Sequence, residues 1–428
     1  MPTVPVPLVP APRVPIPISR LGDGADFRAQ ANSDQTVTLW DFFRGNLDEL
    51  RRSGLYREFI PCSHITAERG YAMNGERKVQ IWCSNDYLGL SQHPAVVQAQ
   101  IASTREHGTG SGGSRNIAGS SVAHVELETR LAAWHGKERA LIFSSGYVAN
   151  FETLSTLIAA VPGIVVFSDA NNHRSLIEGI SRSGARKQVF PHNDLDALEK
   201  GLAGYGRDHP KLIVFESVYS MDGDLSPVSA ICDLAERYGA ITFLDETHAI
   251  GIKGDTGAGL CQELGERRPT FIQGVFGKAI GTVGGYVAGP DSALDYVRSH
   301  APGLIFTTAL PQAILDATLK GLELIQQGAD LRKSLLDNVR HLKNALRVAG
   351  IEFIDADSHL VPVMVRGEER VRRVSQRLLD DHGIYLTPVN FPSVPRGAER
   401  FRVTVAPYRT AEQVNHFVTA LQHALADS

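Results

Sequence analysis

Lys278 stands in GVFGKAIGTVGGY, between Gly277 and Ala279, in a stretch that is otherwise apolar and glycine-rich. A lone lysine is ordinarily a solvated surface charge. One held among small apolar residues is a candidate for a depressed pKa and for imine chemistry. Upstream by 33 residues, the apolar run AITFLDE ends with Asp245 and Glu246, and His248 follows in FLDETHAIG. A carboxylate there serves equally well as a helix cap or a surface charge. Taken together, the lysine and the aspartate suggest pyridoxal phosphate. That cofactor needs an amine for its aldehyde and a carboxylate to keep its pyridine nitrogen protonated. A third segment, FSSGYVAN, places Ser145, Gly146 and Tyr147 at a strand-to-helix turn. Backbone N–H groups at a helix start favour phosphate, although glycine turns after strands are common.

The elements that must carry these residues show in the apolar pattern. ALIFSS, GIVVFSD, KLIVFES and AITFLDE are short continuous apolar runs separated by helix-like stretches. Strands that do not alternate are buried on both faces, which predicts a mostly parallel α/β sheet over about residues 95–300. Ligands of such sheets bind outside the carboxyl ends of the strands, where these small and polar residues cluster. TVTLWDFFRGNLDELRR predicts a helix over 37–53, and the strand-like KVQIWCS follows in an N-terminal segment ending near 94. PQAILDATLKGLELIQQ, HLVPVMVRG and FRVTVAP predict a smaller α+β C-terminal domain over 301–428. Residues 1–36 carry a proline at every second or third position of their first half and predict an extended, flexible arm.

Composition narrows the class. The chain has 428 residues, 43% of them hydrophobic, enough for a sizeable core, and its net charge of −4 argues against a nucleic-acid partner. Cys62, Cys83, Cys232 and Cys261 are far apart and show no metal-ligand spacing, so the expected compartment is the reducing cytoplasm. No apolar run is long enough to span a membrane.

With WCSNDYLGLSQHP, GSGGSRNIAGS, HGKERALIFSSGYVAN, ESVYSMDGDLSPV, DETHAIG, GKAIGTVGGY, APGLIFTTALP and GIYLTPVNFPSVPRGAERFRVT in this order, the chain resembles the α-oxoamine synthase family of fold-type I pyridoxal-phosphate enzymes. The likeness runs from about 45 to 425 and is strongest to the aminolevulinate synthase branch. It implies a homodimeric acyltransferase that condenses glycine with an acyl-CoA, expected to be succinyl-CoA, with loss of carbon dioxide. Lys278 then holds the cofactor and later removes the α-proton, Asp245 pairs with the pyridine nitrogen, and His248 bonds the phenolic oxygen. His173 in DANNHRS stacks on the ring, and Ser220 lies near the cofactor. Ser145, Gly146 and Tyr147 fall at the phosphate, where Thr307 and Thr308 reach in from the neighbouring subunit. Arg402 grips the amino acid carboxylate beside Asn85. Asn116 and Ile117 lie beside the acyl-CoA, Ser114 lies close to the α-carbon of the amino acid, Ser393 is a further substrate-binding position, and Arg57 receives the free carboxylate of the acyl group.

Four positions depart from that branch. Ser114 and Ser393 stand where it has threonines, Val275 replaces a threonine that bonds the phosphate, and Ala406 replaces a serine. Ser114 matches synthases that use alanine, which keeps open a relative with alanine or serine and another acyl-CoA. A glycine C-acetyltransferase would not need Arg57. A non-catalytic binding protein would not need Lys278, Asp245, His173 and His248 together.

Overall fold

A computed structural model describes residues 38–426 and 428. The proline-rich arm expected over 1–36 lies outside the described residues. The predicted first helix spans Leu39–Arg52 and starts on a capping box, in which Thr38 accepts the Asp41 N–H and Asp41 accepts the Thr38 N–H. Strands β1 (Ser63–His64), β2 (Tyr71–Asn74) and β3 (Arg77–Ile81) follow as an antiparallel ladder.

The central sheet has seven strands: β4 (Arg139–Phe143), β5 (Val165–Asp169), β6 (Arg186–Phe190), β7 (Lys211–Glu216), β8 (Ile241–Asp245), β9 (Phe271–Val275) and β10 (Gly285–Gly289). Their order is β4-β10-β9-β8-β7-β5-β6. From β9 across to β6 the strands are parallel, and β10 is antiparallel to both of its neighbours. Alternate side chains enter two cores. Phe143, Val166, Val214, Phe243 and Val287 pack against helices on one face. Ile142, Phe167, Phe215, Leu244 and Tyr286 pack on the other. With both faces covered, no position along these strands has to be polar, so the runs read as continuous. At the edge, β6 buries only Phe190 and carries Arg186 and Lys187 outward, charges that discourage pairing with another chain.

The C-terminal strands are β11 (Leu360–Met364), β12 (Ile384–Tyr385), β13 (Pro388–Val389) and β14 (Arg400–Thr404). β11, β14 and β13 form an antiparallel sheet, while β12 pairs in parallel with β3. The N-terminal segment is thereby sewn to the C-terminal region. Trp82 stacks on Phe417 at 4.2 Å, and the buried Arg409 guanidinium lies over Trp82 while donating to the carbonyls of Gly70 and Ile81. The Thr404 N–H donates to Trp82 O at 2.9 Å, which sets β14 beside the segment that carries Asn85.

Candidate active site

The floor of the site lies where β7 and β8 end at Glu216 and Asp245, which are paired in register, with Gln273 in the middle of β9 paired to Asp245. Asp245 is buried. One carboxylate oxygen accepts the Thr247 N–H at 2.8 Å and the other accepts Asn150 Nδ2 at 2.8 Å. Asn150 comes from the helix Gly146–Ala160 and also donates to Ser175 Oγ at 3.0 Å. Ser175 Oγ lies 2.8 Å from His173 Nδ1. His173 caps the helix Arg174–Ser183, and its backbone N–H donates to Glu216 Oε1 at 2.5 Å. Burial, and then the neighbouring Asp245, push the Glu216 carboxyl well above its usual range.

Lys278 follows β9 in a turn. Burial first, and then the Arg402 guanidinium, lower its pKa to about 8, although Asp245 and Glu216 pull the other way. His248 is buried, and burial followed by the charges of Lys278 and Arg402 holds it well below its ordinary value. Its Nδ1 lies 2.8 Å from Tyr87 Oη. Burial pushes the Tyr87 hydroxyl up to about 12, so it stays protonated.

At the other end of the floor the helix Gly146–Ala160 begins. Ser145 engages the N–H groups of Val148 and Ala149. Those of Gly146 and Tyr147 have no intrahelical acceptor and remain available to an anion. The packing here requires glycine. A Cβ on Gly146 would lie 2.1 Å from Val275 Cγ2, and one on Gly285 would lie 2.6 Å from Gly146 Cα. Val275 therefore puts a methyl group against the first turn, where a threonine would offer a hydroxyl. This donor set fits pyridoxal phosphate: an amine with a lowered pKa, a strand-end carboxylate and two free N–H groups at a helix start.

The substrate side is built by β14. Arg402 donates to Asn85 Oδ1, which also accepts Tyr87 Oη at 3.3 Å, so Arg402, Asn85, Tyr87 and His248 form one chain. Ser220 sits in the turn closed by Tyr219 and Asp224, and Asp222 of that turn pairs with Arg400. The turn is also pinned by His192, which lies 2.8 Å from Asp169 and 2.7 Å from Asp224. Burial disfavours the charge on His192, yet hydrogen bonds to both carboxylates raise its pKa to about 10. On the exposed rim, Arg57 Nη2 donates to Ser393 Oγ at 3.3 Å across 336 residues of sequence.

A separate grouping lies on the surface. Ser114 caps the turn Arg115–Gly119, which holds Asn116 and Ile117. The loop of Thr307 and Thr308 is tied to it by Ala309 N–H donating to Gly113 O and by Ser111 Oγ donating to Ala309 O. These bonds hold the two loops that carry five of the expected site residues, Ser114, Asn116, Ile117, Thr307 and Thr308, against one another. Sequence reading missed Asn150, Ser175, Glu216 and Tyr87 as site residues. Each lies inside a segment singled out above, but a buried polar residue in an apolar or motif stretch gives no separate signal of what it touches.

The sequence model of the aminotransferase class I and II family matches residues 77–421. This chain belongs to that family. Among curated relatives, the 5-aminolevulinate synthase of Rhizobium meliloti is 44% identical over 392 residues, covering 90% of this chain and 96% of the relative. That of Bradyrhizobium diazoefficiens is 43% identical over 385 residues, covering 89% and 94%. Among solved structures, the serine palmitoyltransferase of Sphingomonas wittichii superposes with a TM-score of 0.83 at 28% identity, covering 91% of this chain and 97% of that one. A structure of SPT with PLP gives 0.84 at 29%, covering 91% and 98%. The fold-type I assignment made from the sequence stands.

Proposed function

We propose that this protein is a pyridoxal-phosphate-dependent acyltransferase that condenses glycine with succinyl-CoA, giving 5-aminolevulinate, free CoA and carbon dioxide. The observation that carries the reading is the meeting of Lys278, Asp245, His173, His248 and Arg402 around the ends of β7–β9 in a chain 44% identical to a 5-aminolevulinate synthase. When bound, the cofactor supplies an electron-poor ring that accepts the electron pair left on the glycine α-carbon.

The chain's own groups do the rest. Lys278, with its lowered pKa, holds the cofactor and then takes the α-proton. Asp245, fixed by two N–H donors, keeps the pyridine nitrogen protonated. The free N–H groups of Gly146 and Tyr147 hold the phosphate. His248 has Nδ1 committed to Tyr87 and offers Nε2 to the phenolic oxygen. The planar guanidinium of Arg402, steadied by Asn85, receives the glycine carboxylate at two points. Arg57 and Ser393 receive the free carboxylate of the succinyl group, a charge that purely apolar acyl chains lack.

The working unit is a homodimer, with Thr307 and Thr308 of one copy completing the phosphate site of the other. Support comes from the apolar side chains exposed on the Ser114 side of the molecule, Ile117 at 82%, Val122 at 80% and Phe306 at 84%. No helix among the described residues is long and apolar enough to cross a membrane. All four cysteines are unpaired, which fits a cytoplasmic enzyme.

The test is to load the protein with pyridoxal phosphate and offer glycine, alanine and serine with acetyl-, butyryl- and succinyl-CoA, identifying products by mass spectrometry. Glycine with succinyl-CoA is expected to give the highest kcat/KM. A higher value for any other pair overturns the assignment.

A further inference from the structure

Hydrogen-bond directions around His173 settle where its proton sits. The Ser175 backbone N–H, which can only donate, points at His173 Nδ1 at 3.3 Å. The Ser175 hydroxyl lies 2.8 Å from the same nitrogen. That hydroxyl accepts one hydrogen of Asn150 Nδ2, and the other hydrogen goes to Asp245. Turning the Asn150 amide over would set its oxygen against the Asp245 oxygens. The amide keeps its orientation even though its own Oδ1 is buried without a partner. Because Nδ1 already accepts from the Ser175 backbone N–H, it carries no hydrogen to give, and the Ser175 hydroxyl, whose oxygen still has room to accept from Asn150, sends its own hydrogen to Nδ1. Nδ1 thus receives two hydrogens and has no place for a proton of its own.

We infer that Asn150 and Ser175 are positioning residues that lock His173 as a neutral imidazole with its proton on Nε2. Resting on the function proposed above, this makes His173 a donor toward a substrate oxygen and never a base toward carbon. The locked ring is also tied through one amide to Asp245, the carboxylate assigned to the pyridine nitrogen, so both are held by the same second layer of bonds. The other titratable groups facing His173 are Glu216, Asp245, His248 and Lys278. Burial lowers the pKa of His173, Lys278 adds to that and Asp245 opposes it, in keeping with a neutral ring.

The test is nitrogen NMR of the holoenzyme carrying ring-labelled histidine, with the His173 signals assigned by their loss in His173→Gln. Between about pH 6 and pH 8, Nε2 should be protonated and Nδ1 bare. A proton on Nδ1, or a doubly protonated ring at neutral pH, overturns the inference. Removing the hydroxyl with Ser175→Ala should raise the His173 titration by about one pH unit, the worth of one hydrogen bond, and Ser175→Thr should restore it. An unmoved titration in a folded Ser175→Ala enzyme counts against the lock. The NMR readout needs no turnover, so it stands or falls separately from the product panel.

Discussion

The floor of the site and its rim are built on opposite plans. On the floor, Asp245, Asn150 and Ser175 are each less than a twentieth exposed, and their hydrogen bonds close on one another and on His173. On the rim, Arg57 and Ser393 meet in a single bond at 3.3 Å, both exposed. The floor is finished within one chain and held by strand ends that cannot shift without breaking the sheet. The rim is left open to solvent, where the proposed substrate would bind. A change on the floor should therefore damage every reaction of the enzyme alike, whereas a change on the rim should alter which substrate is preferred.

The largest effect is expected at Asp245. Asp245→Asn removes the charge that keeps the pyridine nitrogen protonated, and kcat should fall by several orders of magnitude for every acyl-CoA. A loss under about tenfold would place Asp245 outside the chemistry. At the rim, Arg57→Leu should raise KM for succinyl-CoA by roughly tenfold to a hundredfold and leave butyryl-CoA nearly unchanged, because only the former loses a charge-assisted bond. Equal effects on the two substrates would make Arg57 a structural residue.

Val275 packs against the first turn of the helix Gly146–Ala160, beside the proposed phosphate site. Val275→Thr replaces a methyl near Gly146 with a hydroxyl, and equilibrium dialysis should show pyridoxal phosphate bound about tenfold tighter. Unchanged affinity would mean that another group already fills that place. The smallest effect concerns Ser114, whose side chain makes no capping bond. On the proposal that Ser114 lies by the amino acid's α-carbon, a pocket lacking one methyl discriminates by about 1–3 kcal/mol, so alanine and serine should react at up to about a tenth of the glycine rate. Ser114→Thr should suppress both and spare glycine, as read from kcat/KM for each amino acid. Exclusion of alanine by several hundredfold in the unaltered enzyme would show that Ser114 does not widen the choice.

The same contrast governs what the sequence reveals. Strands buried on both faces, such as KLIVFES and AITFLDE, are visible because a short unbroken apolar run between turn residues must be covered on every side. β6, β9 and β10 escape such a reading, since RKQVF is an edge strand with charges, FIQGV is broken by Gln273 and Gly274, and GYVAG has only three residues between its end glycines. β12 has two residues, and only its pairing with β3, some 300 residues away, makes it a strand. Lys278 and Asp245 are legible from their type and setting, and His173, His248 and Arg402 from family resemblance. Asn150 and Ser175 are not, because a hydrogen bond between helices depends on tertiary placement that no local spacing encodes.

The central claim is that Lys278 carries the cofactor at the end of β9. With a pKa lowered to about 8, roughly one Lys278 amine in ten is free at pH 7 to meet the cofactor's aldehyde. The direct measurement is borohydride reduction of the loaded enzyme, which fixes the carbon–nitrogen bond, followed by peptide mass spectrometry. The pyridoxyl group should be found on Lys278, and the yellow imine absorbance with its reducible bond should be absent from Lys278→Ala. A label on another lysine, or an undiminished imine in Lys278→Ala, would contradict the account.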